Sequence, residues 1–147
     1  MTTYSGAPGA RTRGIAAGKF WSGAVAAALV TGLTALVVTL IVRVFGLDPL
    51  APPWLPDLTV AVRFAVLGFV ATLLAAVLLY VLSATTPGGE TFFGWIVGLL
   101  TLAAAVLPFA YDAVTGDRIA TSVAHLAIGL PILGLLPGVA SRATVWK

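Results

Sequence analysis

Four long apolar stretches, at residues 20–44, 58–82, 92–111 and 119–138, leave this chain few ways to fold. A bilayer's hydrocarbon core is roughly 30 Å thick, and about 20 apolar residues in helical form cross it. Each stretch has that length, and each is apolar all round rather than striped with a polar face, as a helix of a soluble domain would be. Charged residues make up only 9% of the chain, where a soluble domain carries about 25%. The expected fold is all-α, a four-helix transmembrane bundle.

The connections agree with that reading. Residues 1–19 are small, Gly-rich and basic, and form an expected flexible N-terminal segment. They resemble the start of a signal peptide, but the apolar block that follows is longer than the roughly 7–15 residues of a signal core, so it is read as a retained first span. Residues 46–57 hold four prolines and Trp54, a composition that resists a regular helix and places Trp54 as an interfacial anchor. Asp57 and Asp117 precede the second and fourth apolar stretches and are expected to cap those helices with their carboxylates. Pro108 and Pro131 predict local unwinding or kinks. Residues 139–147 form an expected cytoplasmic tail.

Charge placement supplies an orientation. Arg11, Arg13, Lys19, Arg142 and Lys147 flank one end, while Arg43, Arg63 and Arg118 lie near the other beside Asp48, Asp57, Asp112 and Asp117. Positive residues favour the cytoplasmic side, which puts both termini there. The net charge of +3 is scattered into these topology signals rather than gathered in a basic stripe, so nucleic acid is not an expected partner. The expected partners are the lipid bilayer and, within it, another membrane protein or a second copy of the chain.

The polar groups within the spans are few. The chain has no Cys, Asn or Gln and one His, which removes disulfides, thiolate metal sites and most of the polar glue used between membrane helices. No metal and no cofactor are expected. Arg43, Arg63, Asp112 and His125 all fall toward one end of the bundle and form a candidate outer-leaflet polar cluster, since ionisable groups at membrane depth usually face partners or a water-filled cavity. The opposing view is that the arginines snorkel to the headgroups. His125 lies deeper, and its imidazole needs a partner; Asp112, Arg63 and Thr121 are candidates. Glycines four apart at Gly14 and Gly18, Gly94 and Gly98, and Gly134 and Gly138 allow close helix approach; the Gly94 pair is read as a packing face within the bundle.

Phosphate loops, nucleophile elbows and paired metal ligands have no counterpart in the sequence, so an enzyme is not expected. The segment VRVFGLD (residues 42–48) and the segment AHLAIGLPILGLLPGVASR (residues 124–142) resemble those of small four-span proteins of unknown function from high-GC bacteria. That resemblance implies four helices and a bacterial plasma membrane, and brings no activity with it. The leading expectation is a non-enzymatic structural or partner-binding bundle; the alternative is a small transporter or proton-linked sensor built on the polar cluster.

Overall fold

A computed structural model of the chain describes residues 13–51, 53 and 57–146. Trp54, expected as the interfacial anchor, lies outside the described residues, as do Arg11 and Lys147. Among the described residues are four long helices, α1 (Ala17–Val44), α2 (Val60–Thr85), α3 (Gly89–Val106) and α4 (Thr115–Ala143), and two short strands, β1 (Arg13–Ile15) and β2 (Thr144–Trp146). All four helices are long and apolar enough to cross a membrane, with mean hydropathies from 1.9 to 2.6. The protein is a multi-pass membrane protein with a helical transmembrane bundle.

The described residues that flank α1 and α4 form a short ribbon. β1 and β2 pair antiparallel, Arg13 opposite Trp146 and Ile15 opposite Thr144, and the Ala16 amide donates to the Ala143 carbonyl at 2.9 Å. The start of α1 therefore moves to Ala17, and α4 runs on to Ala143, through Pro131 and Pro137. Gly138 does not end it, because a helix in lipid has no water to take over its backbone groups and keeps satisfying them internally. Pro108 does act as a break: after Val106 the chain tightens into a 3₁₀ turn over Leu107–Ala110, the geometry a proline favours at a helix end.

Small residues make the core. α1 buries Ala24, Ala28, Gly32, Ala35 and Thr39, and α2 answers with Gly68, Thr72 and Ala76. Their three- and four-residue spacing puts each set on one helix face, and the two backbones meet there: a Cβ on Gly32 would lie 3.0 Å from the Ala65 carbonyl oxygen, and one on Gly68 would lie 3.3 Å from that of Thr31. The long aliphatic side chains turn outward, among them Leu29, Leu33, Leu74, Leu99 and Leu130. Lipid tails are as apolar as leucine, so burying Leu brings no hydrophobic gain, and close van der Waals packing of small residues holds the helices instead. The buried hydroxyls of Thr31, Thr39 and Thr72 donate to carbonyls one turn back, at 3.0, 2.7 and 2.7 Å.

The expected packing role of Gly94 and Gly98 is not found. A Cβ added to either would meet nothing within 4 Å, so both lie on the outer face of α3. α1 packs against α2 and α4, α3 against α4 and more sparsely α2, and α2 touches α4 across the centre. α3 is the least enclosed helix, with 17% of its span buried against 44% for α4. Around the bundle, α2 and α3 are consequently the most sparsely packed neighbouring pair.

Candidate functional site

The polar end of the bundle is organised by a loop clamped onto α4. α1 ends at Val44 and the chain turns at Gly46, whose φ of 77° suits a glycine; its amide donates to the Arg43 carbonyl at 2.9 Å and that of Leu47 to the Val42 carbonyl at 3.2 Å. This is a Schellman ending, which satisfies the last carbonyls of the helix and turns the chain sharply. The turn carries residues 47–51 over the first turns of α4. There the Asp48 amide donates to Asp117 Oδ1 at 2.8 Å, and the Leu50 amide donates to Thr121 Oγ1 at 2.7 Å. Thr121 Oγ1 passes its own proton to the Asp117 carbonyl at 2.6 Å.

This arrangement corrects both expected caps. α4 begins after Val114, without a side-chain cap, and Asp117 sits inside its first turn, where a carboxylate complements the helix dipole while its oxygen holds the loop. α2 begins after Thr59, again without a side-chain cap, and Asp57 lies exposed two residues before it. A helix that starts later than its apolar run suggests leaves an upstream carboxylate out of reach of the first-turn amides.

His125 lies two turns further along α4 than Asp117. Its Nδ1 is 2.9 Å from the Thr121 carbonyl oxygen, and since a carbonyl only accepts, Nδ1 carries the proton and donates it. In the neutral ring Nε2 is then an acceptor, and no partner among the described residues reaches it. Phe64 packs edge-on against the ring at a centroid distance of 5.7 Å and fixes its plane. Beside it, Ser122 Oγ stands 2.6 Å from the Ala105 carbonyl and 2.9 Å from that of Arg118, tying α4 to the end of α3.

Two cavities share His125 as a lining residue. The first, of about 570 Å³, lies under the clamped loop and is lined by Asp112, Tyr111, Thr121 and His125 among apolar neighbours such as Leu50 and Leu107. The second, of about 440 Å³, is a cleft between α2, α3 and α4, lined apart from His125 and Thr101 by Leu, Ala, Val, Ile and Gly. Both volumes fall in the range of small-molecule sites, about 300–1,000 Å³. Leu74 and Leu100, exposed on the rim of the cleft, mark its mouth between α2 and α3.

Of the four residues expected to form one cluster, His125 and Asp112 line one cavity, with no hydrogen bond between them among the described residues. Arg43 turns to Asp48, with Nε 3.7 Å from its carboxylate and both side chains exposed. Arg63 Nε donates to the Leu58 carbonyl at 2.9 Å. Neither arginine is among the described lining residues of the first cavity. Tyr111 and Asp48 are not legible as site residues, because the contact of the proline-rich loop with α4 makes them so and a single sequence carries no signal for that contact. Among the described residues no three of His, Asp and Glu gather as a metal site would require.

No curated protein and no solved structure shows significant similarity to the chain. One family model does match, over residues 15–144, which takes in all four helices, the clamped loop and both cavities. The chain therefore belongs to the family of unknown function DUF6069.

Proposed function

We propose that this protein is a non-enzymatic, partner-binding bundle of a bacterial plasma membrane, with both termini in the cytoplasm and its binding site at the opposite end, around His125. The observation that carries the reading is the first cavity, lined by Asp112 and by His125, whose Nε2 has no described partner, under a loop pinned by two hydrogen bonds. An ionisable side chain within a span, as His125 is, is costly and is retained where it meets something. The orientation rests on the excess of basic residues around the termini. A transporter or proton-linked sensor using all four residues is the weaker reading, because Arg43 and Arg63 are engaged at the surface and at Leu58.

Native mass spectrometry of the protein released intact from its native membrane tests the proposal. Wild type should carry a bound species that His125→Ala loses, while the two proteins show matching circular dichroism and thermal midpoints. A wild-type protein released bare, or a variant that keeps the species, refutes it. A collapsed thermal midpoint in His125→Ala would make the histidine structural instead.

A further inference from the structure

We infer that the two cavities together form one bipartite site for a single-chain amphiphile whose head donates hydrogen bonds, a hydroxyl or an ammonium group. This rests on the binding reading above and names its ligand class. The cleft supplies the tail half of the site. Along α2 its lining runs from Leu67 to Leu78, a rise of about 16 Å at 1.5 Å per residue. Half of a roughly 30 Å hydrocarbon core is about 15 Å, so the cleft matches the depth of one lipid leaflet. Its mouth between Leu74 and Leu100 faces the bilayer, so a tail already dissolved in lipid enters sideways without crossing water.

The first cavity supplies the head half. Among its described lining residues, Asp112 is the one carboxylate and no Lys or Arg is present. His125 offers Nε2 as an acceptor because Nδ1–H is committed to Thr121. Thr121 Oγ1 already donates its hydrogen bond to the Asp117 backbone carbonyl and accepts one from the Leu50 amide. Tyr111 adds one hydroxyl that can donate or accept, so the head half presents the acceptors of Asp112 and His125, and no fixed positive charge is among its described lining residues. A carboxylate or phosphate head would meet Asp112 with like charge, while a hydroxyl or ammonium meets two acceptors it can satisfy. Arg118, whose buried Nε lacks a partner among the described residues, lies on α4 near this end but is not among those lining the cavity.

The full-length protein in detergent, titrated with 1-monooleoylglycerol, oleylamine and oleate and read by native mass spectrometry, separates head chemistry from tail fit. The two donor heads should bind at least about tenfold more tightly than oleate, ~1.4 kcal/mol. Asp112→Ala, at an exposed position, should cost oleylamine about tenfold and monooleoylglycerol less. Ala71→Phe and Ala104→Phe, which fill the cleft from different helices, should each abolish binding of both donor-headed probes, with thermal midpoints of the probe-free proteins showing which variant still folds. If oleate binds as well as the donor heads and both fillings remove it, the head assignment is overturned while the binding reading stands. If no probe binds wild type, or a folded cleft-filled variant binds as wild type does, the bipartite site is overturned. The species carried from native membranes and lost in His125→Ala then decides the earlier reading separately.

Discussion

Replacing Thr121 with valine removes one oxygen and almost no volume, and its cost follows from what that oxygen does. Thr121 is 2% exposed and its Oγ1 is the described acceptor of the Leu50 amide, at 2.7 Å. The donation to the Asp117 carbonyl is cheap to lose, because that carbonyl keeps the helix amide four residues on. The Leu50 amide has no such substitute. A stranded buried donor costs about 1–3 kcal/mol, while measured hydrogen bonds between membrane helices average about 0.6 and reach about 1.7 kcal/mol. Leu50 itself is partly open to solvent, so the expected loss is about 1–2 kcal/mol. Thr39 and Thr72 are equally buried and their hydroxyls make only own-helix bonds, so Thr39→Val and Thr72→Val should change stability by less than about 0.5 kcal/mol. Equilibrium unfolding in mixed micelles with increasing dodecyl sulfate, followed by circular dichroism, measures all three. Equal losses across the three variants, or a silent Thr121→Val, would refute the claim that this hydroxyl holds the loop.

Further outcomes follow from the same geometry. Asp117→Ala frees the Asp48 amide, and because both tethers pin one loop, the double variant with Thr121→Val should lose less than the sum of the singles, by about 0.5 kcal/mol or more in a double-mutant cycle. Gly32→Leu and Gly68→Leu drive a side chain into the neighbouring backbone and should cost at least about 1–3 kcal/mol in the same unfolding assay, whereas Gly94→Leu and Gly98→Leu should stay within about 0.5 kcal/mol. A large loss at Gly94, with a change in oligomer size on a sizing column, would place a second copy against α3. Arg43→Ala breaks an exposed pair 3.7 Å apart and should cost less than about 1 kcal/mol, a difference that vanishes in 1 M salt.

The number of spans was legible because it depends only on where apolar residues are dense, and the break at Pro108 because a missing amide acts locally. The helix seams were harder to read. A search for glycines four apart selects Gly94 and Gly98, yet close approach needs only a small residue, and the α1–α2 seam mixes Ala24, Ala28 and Gly32 with Gly68, Thr72 and Ala76. Alanine is so abundant here that this seam has no contrast in the sequence. For the site, the sequence marked His125 and Asp112 as costly in a membrane but could not pair them. A helical histidine always has the carbonyl of its preceding turn within reach, and Thr121 supplies it. The position of Asp117 near a helix start suggests a cap, while its contact with Asp48, 69 residues away in sequence, depends on where a proline-rich loop comes to rest.

The ribbon joining residues 13–15 to residues 144–146 makes the chain close to a ring in space. Residues 13 and 146 could then be joined by a short linker, and a new opening cut in the tight turn between Thr85 and Gly89, with every interhelical seam retained. Such a circular permutant would inherit the same bundle with its reading order rotated. Reporter halves fused at residues 13 and 146 would sit side by side and join within one molecule, on whichever face of the membrane the ribbon lies.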